Sequence, residues 1–253
     1  MRALITNDDG IGSAGLRMLA HVAIEAGLKV TVAAPHAQRS GSSAALSALE
    51  PGGRLLLEDY ALPGLDGVPA FAVQASPALV VFAATGGAFG PCPDIVLSGI
   101  NIGPNTGQAV LHSGTVGAAL TAASHGIPAM AISLASAAPA HWDAAGAAAA
   151  RVLRWFMPRA TEPVVVNVNL PDLPASELRG LRPARLAAFG AVQAQVKADD
   201  SEPASGSIAL TFARPAGTAD PDSDLALLRQ GWATVTVLRG LCASDALDLS
   251  ALG

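Results

Sequence analysis

The sequence predicts an α/β fold, a doubly wound and mostly parallel sheet with a β-rich C-terminal extension. Two observations carry that prediction. Up to Pro171, short apolar, β-branched runs alternate with stretches of helical length, joined by loops bearing glycine and proline. After Pro171 helical patterns become scarce and short strand-like runs continue to the end. The expectation is therefore a core over residues 1–171 and an extension over 172–253 that completes the fold and mediates oligomerisation, the whole forming a single structural domain.

Arg2 to Thr6 is too short and apolar for anything but a buried strand. Ser13 to Gly27 is a helix, capped by Ser13 and stopped by Gly27. Lys29 to Ala34 is a second strand closed by Pro35, and a polar loop follows from His36 to Ser43. Arg54 to Tyr60 and Val68 to Val73 read as a hairpin or two short strands. Pro77 to Ala88 is a helix with proline in its first turn. Asp94 to Ser98 is a buried strand, after which Gly99 to Gly107 reads as a long glycine-rich loop. A helix starting at Ser113 or Thr115 runs to Gly126, and Ile127 to Leu134 is a strand. His141 to Phe156 is an Ala-rich helix and Pro163 to Leu170 a strand. In the extension, Leu181 to Phe189, Ile208 to Phe212 and Ala233 to Leu238 are the expected strands.

Composition narrows the function. With 51% hydrophobic and 14% charged residues, the chain is globular and not disordered. A net charge of -5 offers no basic footprint for DNA or RNA. The apolar runs Ala78 to Ala84 and Val164 to Val166 are too short to span a bilayer. Met1-Arg2 leads straight into a strand, so no signal peptide and a cytoplasmic location are expected. Cys92 and Cys242 suggest neither a disulfide framework nor a thiolate metal site.

The chemistry concentrates at strand ends. Thr6-Asn7-Asp8-Asp9-Gly10 puts adjacent carboxylates where the first strand stops, and in an open α/β sheet the ligand crevice lies there. The same residues are ordinary turn chemistry. Gly10-x-Gly12-x-x-Gly15 matches the dinucleotide fingerprint, which raises a nicotinamide oxidoreductase as an alternative. Against it, Asp8 and Asp9 would face the pyrophosphate, and Ala33-Ala34-Pro35 stands where the ribose-binding acid belongs. A divalent cation resolves the first conflict. Mg²⁺ or Mn²⁺ takes oxygen ligands, and Asp8, Asp9, the Ser40 hydroxyl and the Asn101 carbonyl supply four from three strand ends. Ser40 and Asn101 are each ordinary turn residues when taken singly. His36 and His112 are possible ligands or bases, whereas His125 at a helix end reads as a dipole partner. Ser113-Gly114-Thr115 is a helix cap, a set of hydroxyls and amides facing an anion, or both. Asp143 and Asp172 read as cap and turn residues, and no Gly-x-Ser-x-Gly elbow supports a serine hydrolase.

Thr6-Asn7-Asp8-Asp9-Gly10, Arg39-Ser40-Gly41, Ser98-Gly99-Ile100-Asn101-Ile102-Gly103-Pro104-Asn105 and Ser113-Gly114-Thr115-Val116 resemble, in order and approximate spacing, the signature segments of the SurE family. Ile127 to Ser133 and Asn167-Val168-Asn169-Leu170-Pro171 extend the resemblance. It implies a Rossmann-like core and a metal-dependent phosphomonoesterase acting on nucleoside 5'- and 3'-monophosphates. It also implies a β-rich arm that builds homodimers or homotetramers, and one Mg²⁺ or Mn²⁺ per subunit. The family's metal ligands fall on Asp8, Asp9, Ser40 and Asn101, and Asn7, Asn105 and Ser113 match positions lining its phosphate site. Catalytic roles are thus expected for Asp8, Asp9 and Asn7, and phosphate contacts for Gly41, Ser42, Ser43, Asn105, Ser113, Gly114 and Thr115. Where the family usually reads Gly-Thr-Pro-x-Asp-Cys this chain has Ala75-Ser76-Pro77-Ala78-Leu79-Val80, which keeps in view a metal- or nucleotide-binding protein with altered catalysis.

Overall fold

A computed structural model describes residues 1–48, 54–188, 193–196, 210–213 and 220–240. The central strand is β1 (Arg2–Thr6), followed by α1 (Ala14–Glu25) and β2 (Lys29–Pro35). The Ser13 hydroxyl caps α1 by accepting from the Leu16 amide at 3.3 Å, and Gly27 leaves the helix at φ 81°. The expected hairpin forms as β3 (Leu57–Asp59) antiparallel to β4 (Ala70–Val73). α2 (Pro77–Thr85) stops three residues short of Ala88, since Gly86 and Gly87 end it. Its cap is Ser76, so the departure at that segment keeps a helix start.

β5 (Ile95–Ile102) runs four residues past the expected strand, so Asn101 stands in strand and not in loop. A bulge between Ser98 and Asn101 re-aims the strand end before pairing resumes opposite Ser133. Glycine is required there, because a Cβ on Gly99, at φ 134°, would lie 2.3 Å from the Ile132 carbonyl oxygen. A 3-10 turn (Gly107–His112) leads to α3 (Gly114–Ser124), then come β6 (Ala129–Ala135), α4 (Trp142–Phe156) and β7 (Val165–Pro171).

After β7 the strands are β8 (Leu181–Pro183), β9 (Gln193–Val196), β10 (Leu210–Ala213) and β11 (Ala233–Leu238). β8 covers only the start of the run expected to reach Phe189, which itself lies outside the described residues. The sequence reading also missed α5 (Asp224–Arg229), six residues that give too short a periodic signal.

The main sheet has the order β3-β4-β2-β1-β5-β6-β7-β11-β8. From β4 to β7 every pairing is parallel, and β11 joins antiparallel to β7. β9 and β10 pair with each other as a separate antiparallel ribbon. Alternate side chains of each strand meet different helices. Ala3, Ile5, Leu97 and Ile132 pack with Leu16 and Leu19 of α1 and Leu153 of α4. Leu4, Val96 and Ala131 pack with Val80 of α2 and Val116 of α3. Burying each large aliphatic side chain contributes roughly 2 kcal/mol. Chain order reverses at β1, between β2 and β5, so the crevice belongs at their carboxyl ends. Among the described residues no helix is long and apolar enough to cross a membrane.

Candidate active site at the carboxyl ends of β1, β2 and β5

The turn after β1 is braced from inside. The Asn7 side chain, fully buried, accepts from the Gly10 amide at 3.2 Å and donates to the Gly10 carbonyl at 3.1 Å and to Ser13 Oγ at 2.7 Å. Both of its amide hydrogens are committed, and the side chain shapes the turn that carries its two neighbours. Gly10 supports the same turn at φ 101°. A Cβ on Gly15 would fall 1.9 Å from the Ile100 carbonyl oxygen, so this glycine lets α1 lie directly on β5. Turn shape and helix packing thereby account for the first and third glycines of the fingerprint without a pyrophosphate.

Asp8 is buried against the start of α3. Its Oδ1 accepts from Thr115 Oγ1, and the amides of Gly114 and Thr115 face it. Burial pushes its carboxyl pKa up, and the Thr115 hydroxyl offsets part of that. Thr115 is fully buried, with its hydroxyl turned to Asp8. Gly114 is held to glycine by proximity, since a Cβ there would lie 2.6 Å from Ser42 Oγ and 2.8 Å from Asp8 Oδ2. Ser113 caps α3 with its hydroxyl, accepting from the Val116 amide at 3.1 Å.

Asp9 reaches across the sheet. Its Oδ2 accepts from the Ile102 amide at 3.0 Å, tying the end of β1 to the end of β5 beside Asn101. Burial is the main cause that pushes its pKa up to about 6; the Asp8 charge adds to the rise and the Ile102 amide opposes it. Neither carboxylate has an ion-pair partner among the described residues.

The loop after β2 closes the third side. The Arg39 amide donates to the Asp8 carbonyl at 2.7 Å, which brings Ser40 to this corner, where Ser40 Oγ accepts from Gln38 Nε2 at 2.9 Å. Gly41 turns at φ 79°. Ser42 Oγ is buried without a hydrogen-bond partner among the described residues, beside Gly114 and Asp8. Ser43, at φ 51°, donates its hydroxyl to the Leu111 carbonyl at 2.6 Å. The loop can lie this low because a Cβ on Gly117 would come within 2.3 Å of the Ser43 carbonyl oxygen.

On the β5 side, Asn101 Nδ2 donates to the carbonyls of Ile102 at 3.1 Å and Gly103 at 2.7 Å, leaving Oδ1 as its available end. Asn105 is held by residues the sequence reading assigned no role. Its amide donates to Asn169 Oδ1 at 2.7 Å, and its carbonyl accepts from Asn169 Nδ2 at 2.9 Å and Asn167 Nδ2 at 3.0 Å. Its own Nδ2 donates to Ser133 Oγ at 2.8 Å. The signal for them was present as two asparagines at alternate positions, hence on one face, of an otherwise apolar strand, VVNVNLP. His36 and His112 are exposed, and His125 caps α3 with Nδ1 2.9 Å from the Thr121 carbonyl, the dipole position expected. Asp172 accepts from the Ala140 and His141 amides before α4, and Asp143 stands in the first turn of that helix, both as expected.

These residues can hold a hard cation. Among the described residues no three His, Cys, Asp or Glu side chains converge, so a centre here takes two carboxylates and neutral oxygens. Asp9 has one oxygen committed to the Ile102 amide, Asp8 is held by the Thr115 hydroxyl, and both are destabilised as anions by burial. A divalent ion relieves that cost, and carboxylate, hydroxyl and amide oxygens are the donors Mg²⁺ or Mn²⁺ prefers.

Known proteins share this chain's sequence and fold. The family model described as survival protein SurE matches residues 3–191. A 5'/3'-nucleotidase SurE of Serratia proteamaculans (strain 568) is 36% identical over 247 residues, covering 94% of this chain and 90% of that protein. A 5'-nucleotidase SurE of Methylococcus capsulatus is 37% identical over 94% of this chain and 91% of its own length. The crystal structure of SurE protein from Aquifex aeolicus superposes with a TM-score of 0.76 at 25% identity, covering 97% of this chain and 95% of that one.

Proposed function

This chain belongs to the SurE family, and on that premise we propose that it is a phosphomonoesterase working through a divalent ion held by Asp8, Asp9, Ser40 and Asn101. It hydrolyses nucleoside 5'- and 3'-monophosphates to nucleoside and phosphate. The observation that carries the metal reading is the pair of carboxylates after β1, Asp8 buried and Asp9 half-buried, without a cationic side-chain partner among the described residues and tied by the Arg39 and Ile102 amides to the loop of Ser40 and the strand end of Asn101.

When bound, an ion held by Asp8, Asp9, Ser40 and Asn101 would supply positive charge that activates water as the nucleophile and offsets charge on the phosphoryl oxygens. The chain's own groups do the rest. Thr115 and the first amides of α3 favour the ionised form of Asp8. Asn7 and Gly10 hold the turn so that both carboxylates point into one corner. Ser42, whose buried hydroxyl has no hydrogen-bond partner among the described residues, donates to a phosphate oxygen, joined by the Gly41 amide and the Asn105 side chain. Ser113 and Gly114 bring the positive end of α3 to the same dianion. Mg²⁺ and Mn²⁺ both suit this donor set. The segment after Pro171, with its ribbon of β9 and β10 outside the main sheet, pairs subunits into a homodimer or homotetramer, and the enzyme works in the cytoplasm.

The test is phosphate release from a panel of nucleoside 5'- and 3'-monophosphates with and without EDTA. Release that EDTA stops and Mg²⁺ or Mn²⁺ restores is expected. Absence of release under every metal would leave a binding protein instead.

A further inference from the structure

We propose that Asn169, assisted by Asn167 and Ser133, is a positioning group that fixes Asn105 in the phosphate site; this rests on the reading of Asn105 given above. One side chain, Asn169, takes both backbone groups of Asn105, accepting from its amide at 2.7 Å and donating to its carbonyl at 2.9 Å. Asn167 adds a second donor to that carbonyl at 3.0 Å, and Ser133 takes one hydrogen of the Asn105 side-chain amide at 2.8 Å. Backbone and side chain of one loop residue are thus fixed by two neighbouring strands, in which Ser133 and Asn169 stand directly opposite each other.

The loop is pinned on both flanks as well. The Gly103 amide donates to the Leu134 carbonyl at 2.9 Å, and the Gly107 amide to Asp224 Oδ2 at 2.8 Å. Between these stakes the chain turns at Gly103 and Gly107, both left-handed. Ser133, Asn167 and Asn169 are fully buried in otherwise apolar strands, AMAISLA and VVNVNLP. Three apolar side chains would fill that space without burying polar groups, which cost free energy to desolvate. Their shared partner is Asn105, and the second hydrogen of its Nδ2 is left to point at a ligand. A donor aimed in advance loses no freedom when a phosphate oxygen arrives, the usual gain from pre-organisation.

The test compares Asn169→Ala, Ser133→Ala, Asn105→Ala and the double variant Asn105→Ala/Asn169→Ala. Steady-state hydrolysis of a nucleoside monophosphate is read beside Mn²⁺ affinity by calorimetry and the melting temperature. Asn169→Ala is expected to lower kcat/KM about 100-fold, as Asn105→Ala does, with Mn²⁺ affinity within about 2-fold of the parent. The double variant should fall no further than Asn105→Ala. Ser133→Ala, a milder change that keeps the fold if Asn169→Ala does not, should lose about 10-fold. A folded Asn169→Ala with parental kcat/KM, or losses that simply multiply in the double variant, would overturn the proposal. Full activity in Asn105→Ala would instead overturn the role of Asn105 itself.

Discussion

Two places in this molecule bury carboxylates, and they treat them differently. Asp224, fully buried at the start of α5, accepts from the amides of Gly107 at 2.8 Å, Ala187 at 2.9 Å and Leu225 at 2.7 Å, so both oxygens are engaged. Asp8 accepts from the Thr115 hydroxyl with the Gly114 and Thr115 amides beside it, whereas half-buried Asp9 accepts through Oδ2 from the Ile102 amide, and among the described residues no donor reaches its Oδ1. Burial raises the pKa in all three. The distinction lies in what they serve: Asp224 is a clamp joining three segments, whereas the pair after β1 is what the proposed ion would neutralise.

The largest expected effect falls on the pair after β1. Asp8→Asn should cut turnover of a nucleoside monophosphate by at least about 1000-fold, by losing the ion, while the circular dichroism melt stays cooperative. Full turnover by that variant in Mg²⁺ or Mn²⁺ would remove Asp8 from the metal set. The clamp should behave in reverse. Asp224→Ala leaves three buried amides without an acceptor and should cost about 3 kcal/mol of stability in a urea melt. Metal affinity should change little, and an unchanged urea midpoint would show that the amides find other partners.

The smallest effect concerns pH. A carboxyl whose folded pKa is raised binds protons in the folded state over a range where the unfolded chain has released them. Stability of the metal-free protein should therefore fall as pH rises from about 4 to 6, the window set by Asp9 with its shift from 3.8 to about 6, and then level off. Arg2 holds Asp94 down to about 2, an effect of opposite sign that lies below this window. Adding Mn²⁺ should restore more stability at pH 7 than at pH 5. A metal-free melting temperature that rises from pH 4 to 6 would contradict the assignment.

Much of this was legible beforehand. β1, the Ser13-capped α1 and β11 stand where periodicity and capping put them, because short β-branched runs and cap residues are local signals. The strand end of β5 was not, since a bulge at Gly99 depends on contact with Ile132 of the next strand. The partners of Asn7 and Thr115 were not legible for a related reason. Residue type announces a polar group, but its partner decides whether that group faces a ligand or a neighbouring side chain.

Composition, alternation of elements and motif spacing were enough to establish an α/β sheet, its crevice and the oxygen donors around it, because each follows from chemistry within a few residues. Tertiary structure alone decided which of those donors remain open. Asn167 and Asn169 lie more than sixty residues from Asn105, and the Asp8–Thr115 contact spans 107 positions, so only folding brings those partners within hydrogen-bond reach.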